Sequence, residues 1–200
     1  MDLSVHNASM SRPIEFDRSK ALKRALELFW RKGYQASSLT DLLDAMGIGR
    51  SSFYAAFTDK RSLYIECLDL FAAQAEDLMR RARNGLEPLD ALQSLFVRNF
   101  NGTPGSQRQW GCLLVNTVTE MAGVDEDLVT RASDHLAEMQ RIFQAYLEEA
   151  GANPARAEEL AAMLMLLHEG IRVSSRRRLP DAQLSLPIDA SFQLIRSAIR

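Results

Sequence analysis

Residues 38–60, SLTDLLDAMGIGRSSFYAAFTDK, constrain the fold more than any other stretch of the chain. They hold two short segments with apolar residues at helical spacing, divided by Gly47-Ile48-Gly49. Ser38 and Asp41 form a capping-box pattern that opens the first segment, which carries Leu39, Leu42, Leu43 and Met46. Gly47 ends it, because the turn needs a residue that enters left-handed backbone space at little cost. The second segment runs from about Arg50 to Phe57. There Ile48, Phe53 and Phe57 are expected to lock against Leu42 and Leu43, leaving Arg50, Ser51, Ser52, Tyr54 and Ala55 outward. Such a pair is a helix-turn-helix, which sets one helix in the DNA major groove.

The outward residues suit that task. Arg50 matches the two acceptor atoms of guanine or a phosphate. Tyr54 and the serines donate to phosphate oxygens. Lys60, opening the next helix, adds charge beside backbone N–H groups that hold a phosphate. A merely solvated helix face would more usually carry Glu and Lys.

Charge is distributed in the same sense. The whole chain has a formal charge of −2. Between Arg12 and Arg61, however, ten Lys or Arg stand against six Asp or Glu, so an acidic body follows a mildly basic head. The longest apolar run, LAAMLMLL from Leu160, falls far short of the roughly 18 residues of a membrane span. The N-terminus lacks a secretory pattern, and Cys67 and Cys112 suit a reducing compartment, so no membrane and a cytoplasmic location are expected.

The rest of the chain reads as helices. One carries Leu22, Ala25, Leu26 and Phe29 and stops at Gly33. A long fourth helix, capped by Asp59, runs over 60–83 with Leu63, Cys67, Leu70, Phe71 and Leu78 inward. Others are expected from Pro88 through Phe100, over 110–121, over 125–150, over 155–175, and from about Pro187. No strand-like alternation persists. The class is all-α, about nine helices: an N-terminal arm over 1–16, a three-helix DNA-binding head over 17–59, and a helical ligand-binding and dimerisation body over 60–200.

The stretch FWRKGYQASSLTDLLDAMGIGRSSFYAAFTDKRSL, residues 29–63, resembles the TetR/AcrR family of one-component bacterial repressors. The likeness covers about fifty residues, 17–67. It implies an all-α homodimer without catalytic activity, released from operator DNA by a small molecule. Carried over by position, Thr40 and Tyr54 match phosphate contacts, Lys60 matches the backbone-anchoring lysine, and Arg50, Ser51 and Ser52 match groove-facing positions. The chain departs from that pattern at Gly49, often a Ser or Thr cap, at Ala55 and Ala56, often polar or aromatic, and at Thr58, often proline. Ala55 would then touch a thymine methyl. GCLLVN, from Gly111, resembles a shorter sequence of a family subset at the start of a pocket-lining helix.

Large apolar side chains with a few polar groups make a small-molecule site. Candidates on helices that should converge are Phe96, Phe100, Trp110, Cys112, Asn116, Glu120, Met139, Phe143 and His168, with Met121 nearby. Packing alone is the competing role for each. Cys112 is either a small buried hydrophobe or a sensor thiol for an electrophile, the second requiring access and a lowered pKa. HEGIR at His168 lacks the second histidine of a zinc helix, so neither metal nor cofactor is expected. The apolar helix over 155–175, joined by Ile188, Phe192, Leu194, Ile195 and Ile199, is expected to form a homodimer interface.

Overall fold

The computed structural model describes residues 16–83, 85–101, 107–177 and 179–199, with the side chains of residues 99–101, 108 and 181 excepted. The arm expected over 1–16 therefore lies outside the described residues, apart from Phe16, which packs against the core. Among the described residues the fold is all-helical: α1 (Arg18–Lys32), α2 (Leu39–Met46), α3 (Arg50–Phe57), α4 (Lys60–Ala82), α5 (Pro88–Asn101), α6 (Leu113–Met121), α7 (Glu126–Glu149), α8 (Pro154–Ser175) and α9 (Asp181–Ile199).

Local chemistry sets most of the boundaries. Asp17, Ser38, Asp59, Asp125 and Asn153 cap α1, α2, α4, α7 and α8 by accepting a backbone N–H three residues on. Ser38 and Asp41 complete the reciprocal capping box. Lys32 and Ser38 hold the Asp41 carboxyl well below the usual carboxylate range. Gly47 ends α2 in the left-handed conformation, at φ 70°. At Gly49 the α3 cap has no side-chain hydrogen bond. The α3–α4 connection is a γ-turn: Thr58 has φ 63°, and Asp59 N donates to Phe57 O at 2.6 Å. That conformation is strained for a residue with a Cβ.

Two boundaries depart from the sequence pattern. Residues 107–110 form a short 3-10 turn, Gly111 takes φ 76°, and α6 starts only at Leu113. The last helix begins at Asp181 rather than near Pro187. Pro187 withholds a single backbone donor in the second turn. The buried stripe Leu184, Ile188, Phe192 and Ile195 holds the helix together across it.

The head core is built from Ala25, Phe29, Leu42, Phe53 and Phe57, each at most 1% exposed. Burying one such Phe stabilises by about 1.5–3 kcal/mol. This core continues into the body through Leu63, Tyr64 and Leu68 of α4. There α6 packs on α7, α7 on α8, and α5 on α9.

Candidate nucleic-acid interface and effector cavity

On α3 the apolar and polar faces separate cleanly. Phe53 and Phe57 are buried, while Arg50, Ser51, Tyr54 and Ala55 are exposed and Ser52 is half-buried. Tyr54, 53% exposed, is braced edge-on by the Phe53 ring at 5.4 Å, so its hydroxyl is held outward. Thr40 is exposed in the first turn of α2. Lys60 is partly buried. Its ammonium lies 4.4 Å from the centre of the Tyr34 ring, and burial pulls its pKa down. Arg18 reinforces α3 from behind, lying over the Phe57 ring and pairing with Glu66 at 2.8 Å.

The head, and the α4 helix that continues from it, are tied to the rest of the body by polar contacts that bridge long stretches of sequence. Glu120, on α6, accepts from Tyr34 N at 3.0 Å and Gln35 N at 2.8 Å in the α1–α2 turn. Gly33 makes room for that carboxylate, since a Cβ there would meet it at 3.0 Å. Trp30 Nε1 donates to Gly111 O at 3.2 Å. Tyr64 and Thr117 share a buried hydrogen bond of 2.7 Å, and burial pushes the Tyr64 hydroxyl pKa up. Arg61, opening α4, binds both oxygens of Asp125, the α7 cap, and also reaches Asp127. Asp69 of α4 pairs with Arg131 and His135 of α7.

Within the body, α4, α5, α7 and α8 enclose an apolar cavity of about 350 Å³, a volume that includes its open mouth. Its walls include Leu78, Met79, Leu95, Phe96, Met139, Phe143, His168 and Arg172. Phe96, Met139, Phe143 and His168 are thus brought together as the sequence suggests. Phe100 lies outside the residues whose side chains are described. The remaining candidates sit elsewhere. Asn116 spends its amide on Trp110 O at 2.8 Å. Trp110 packs edge-on against Trp30 at 5.4 Å and lines a separate cleft with Arg24 and Arg31. Met121 is fully buried. Glu120 serves the head, as above. Leu78, expected inward, is 40% exposed at the cavity edge.

Cys112 is 1% exposed at the start of α6, and burial pushes its thiol pKa up. Both facts oppose what a sensor thiol needs. Cys67 is buried likewise. No group of three metal-ligating side chains occurs among the described residues. Nor is any helix among them long and apolar enough to cross a membrane.

Arg172 is the cavity residue that sequence reasoning missed. It lies four residues after His168, so one face of α8 carries both. Its four-residue spacing from His168 was the available signal. His168 is 5% exposed and edge-on to the Phe96 and Phe143 rings. Burial, with the nearby Arg172 charge, pushes its pKa from 6.5 down to about 3. The unfolded chain therefore takes up a proton near pH 6.5 that the folded chain refuses until about pH 3. Stability is full above the unfolded value and is lost as pH falls through that window. Acidification from pH 7 to 5 is expected to remove about 2 kcal/mol. Urea titrations of the wild type and His168→Gln check this, and the variant should lose most of that slope.

Comparison with known proteins agrees with the geometry. The family model "Bacterial regulatory proteins, tetR family" matches residues 21–67, and "Transcriptional regulator LmrA/YxaF-like, C-terminal domain" matches residues 88–186. The HTH-type transcriptional repressor ComR of Escherichia coli K12 is 31% identical over 177 residues, covering 84% of this chain and 83% of ComR. The HTH-type transcriptional regulator YezE of Bacillus subtilis 168 is 30% identical over 120 residues, covering 60% and 62% of the two chains. A cysteine mutant of the TetR family regulator CifR, solved with a 26-base-pair double-strand operator, superposes with a TM-score of 0.77. It is 28% identical, with 91% of this chain and 98% of that one covered. With its helix-turn-helix head on an all-helical body, the chain belongs to the TetR family of DNA-binding bacterial transcriptional regulators.

Proposed function

We propose that the protein is a homodimeric repressor, acting in the cytoplasm, that binds a near-palindromic operator and is released by a small molecule bound in the α4–α5–α7–α8 cavity. The observation that carries the reading is the pairing of a polar, small-residue face on α3 with an apolar stripe left uncovered on α8 and α9. On α8 the stripe comprises Met163, Leu166 and Val173, at 42%, 70% and 54% exposure. On α9 it comprises Leu186 and Leu194, at 68% and 70%. Exposed Ala162, Gly170 and Ala190 let a second pair of helices approach closely. A contiguous apolar stripe of this kind marks an interface. The interface differs in membership from the sequence expectation: Ile188, Phe192 and Ile195 are fully buried within the chain and Ile199 is half-buried against its core, so Leu194 remains exposed from that set with Leu186 added.

Two such heads meet successive major grooves on one face of the duplex. Arg50 reads a base edge or a phosphate, Ser51, Ser52 and Ala55 face the groove, and Thr40, Tyr54 and Lys60 hold the backbone. To serve as an anchor the Lys60 ammonium swings off the Tyr34 ring. The effector acts through its differential affinity for the DNA-competent state. Contacts at the junction support this route. A second, open cleft is lined by Trp30, Phe71, Gln74, Leu78 and Arg172, so it touches both α1 of the head and the effector cavity. Arg172's carbonyl also abuts Gly111, whose own carbonyl accepts from Trp30.

Light scattering on the complex with its operator duplex should give two chains per duplex, or a multiple of two. A single chain bound tightly to one duplex would contradict the dimeric reading.

A further inference from the structure

We propose that the effector is a small monoanion, a carboxylate carried on an apolar aromatic or aliphatic body, seated with its charge on Arg172 and His168. The inference rests on the reading of the body as an effector-binding domain and names the chemistry of that site.

Three observations carry it. Arg172 Nε is sealed from solvent and has no hydrogen-bond partner, and among the described residues no carboxylate pairs with the guanidinium. His168 Nε2 is sealed and unpartnered in the same way, on the same face of α8, in a side chain 5% exposed. Both residues line the apolar cavity, and Arg172 also lines the cleft beside it. The Arg172 side chain is half-buried, with its Nε sealed and no counter-charge beside it, and sealed polar groups are normally satisfied. Two orphaned groups converging on one cavity are what an anionic ligand would complete.

The walls narrow the class. Leu78, Phe96, Met139 and Phe143 offer no polar partner to a second charge, so a free phosphate gains nothing from them. A planar carboxylate accepts two parallel N–H bonds from a guanidinium, which a neutral amide cannot do. Burial pulls the Arg172 pKa down and leaves His168 neutral, so Arg172 supplies the charge and His168 a single neutral hydrogen bond. The same seat explains how occupancy would reach the head. A ligand drawing the Arg172 end of α8 inward bears on Gly111 and, through it, on Trp30.

Calorimetric titration of the full chain with benzoate, cinnamate, 1-naphthoate and octanoate tests the proposal, each beside its primary amide, with inorganic phosphate as an anion lacking an apolar body. At least one carboxylate should bind ten-fold or more tightly than its amide, and phosphate should not bind. Arg172→Met should abolish the preference while retaining the fold by circular dichroism, and Arg172→Lys should retain part of it. Amides binding as tightly as carboxylates, an undiminished preference in Arg172→Met, or silence across the carboxylates overturns the proposal. Operator affinity measured alongside separates it from the reading it rests on. Carboxylates that bind without shifting operator affinity support the site while removing its regulatory role. Neutral compounds alone releasing the operator would overturn the anion and leave the regulator.

Discussion

Replacing Leu166 and Leu194 together by arginine should convert the protein into a folded monomer and weaken operator binding by at least a hundred-fold. Both side chains are 70% exposed in the single chain, so the substitution disturbs no internal packing. In a dimer each would be covered, and burial of one leucine stabilises by about 1.5–3 kcal/mol. Arginines placed there meet their own copies across a two-fold axis, adding like-charge repulsion. Loss of the dimer also removes the coupling of two half-sites, which multiplies affinity by about 10²–10⁴. Sedimentation checks the mass, circular dichroism the fold, and gel shift the affinity. An unchanged dimer would place the interface on another surface.

The second large effect is expected at Arg50. A bidentate contact to guanine is worth about 1–3 kcal/mol of discrimination, and a dimer makes it twice. Arg50→Ala should therefore cost about 2–6 kcal/mol of operator affinity, which is thirty-fold or more. Its effect on stability should be small, because Arg50 is exposed and opens α3 without a side-chain role in the cap. The loss should be greater on the operator than on random DNA if Arg50 reads a base, and equal on both if it holds a phosphate. Tyr54→Phe removes only a hydroxyl and should cost less, about 0.5–1.5 kcal/mol per half-site. Unaltered operator affinity in both variants would remove α3 as the reading helix.

Much of the head, and the start of α8 in the body, could be read from the chain because those signals are local. Ser38 with Asp41, Gly47, Asp59 and Asn153-Pro154 act on backbone groups within three or four residues, and each does so in the structure. The γ-turn at Thr58 has no such signature, since threonine does not favour left-handed space. The body is harder for the same physical reason. Which face of a helix meets which neighbour depends on partners far along the sequence. Glu120 is 86 residues from the Tyr34 N–H it binds, and nothing in α6 itself announces that it faces the head. Cys112 follows a glycine at a helix start, where exposure and burial look alike until α8 is placed beside it. Arg172 escaped notice because an arginine near a helix C-terminus is usually explained by the dipole. Its sealed Nε lies in a cavity lined also by α4, α5 and α7, which no local pattern can report. The α9 stripe shows the same limit: Ile188 and Leu194 are both apolar, yet one is buried and the other 70% exposed.

On the proposed reading α3 offers one long exposed side chain, Arg50, to the bases, so useful affinity would depend on holding two heads at a set spacing. In the proposed switch that spacing would be set where α1 and its following turn meet the body, through Trp30 and Glu120.

Selection of bound sequences from a random duplex pool, carried out with the full chain, tests the central claim most directly. The account predicts enrichment of one near-palindrome with half-sites about one helical turn apart or slightly more. It further predicts that the Leu166→Arg, Leu194→Arg variant enriches no such paired site. A pool that stays unenriched, or a single unpaired half-site selected equally by both proteins, would contradict it.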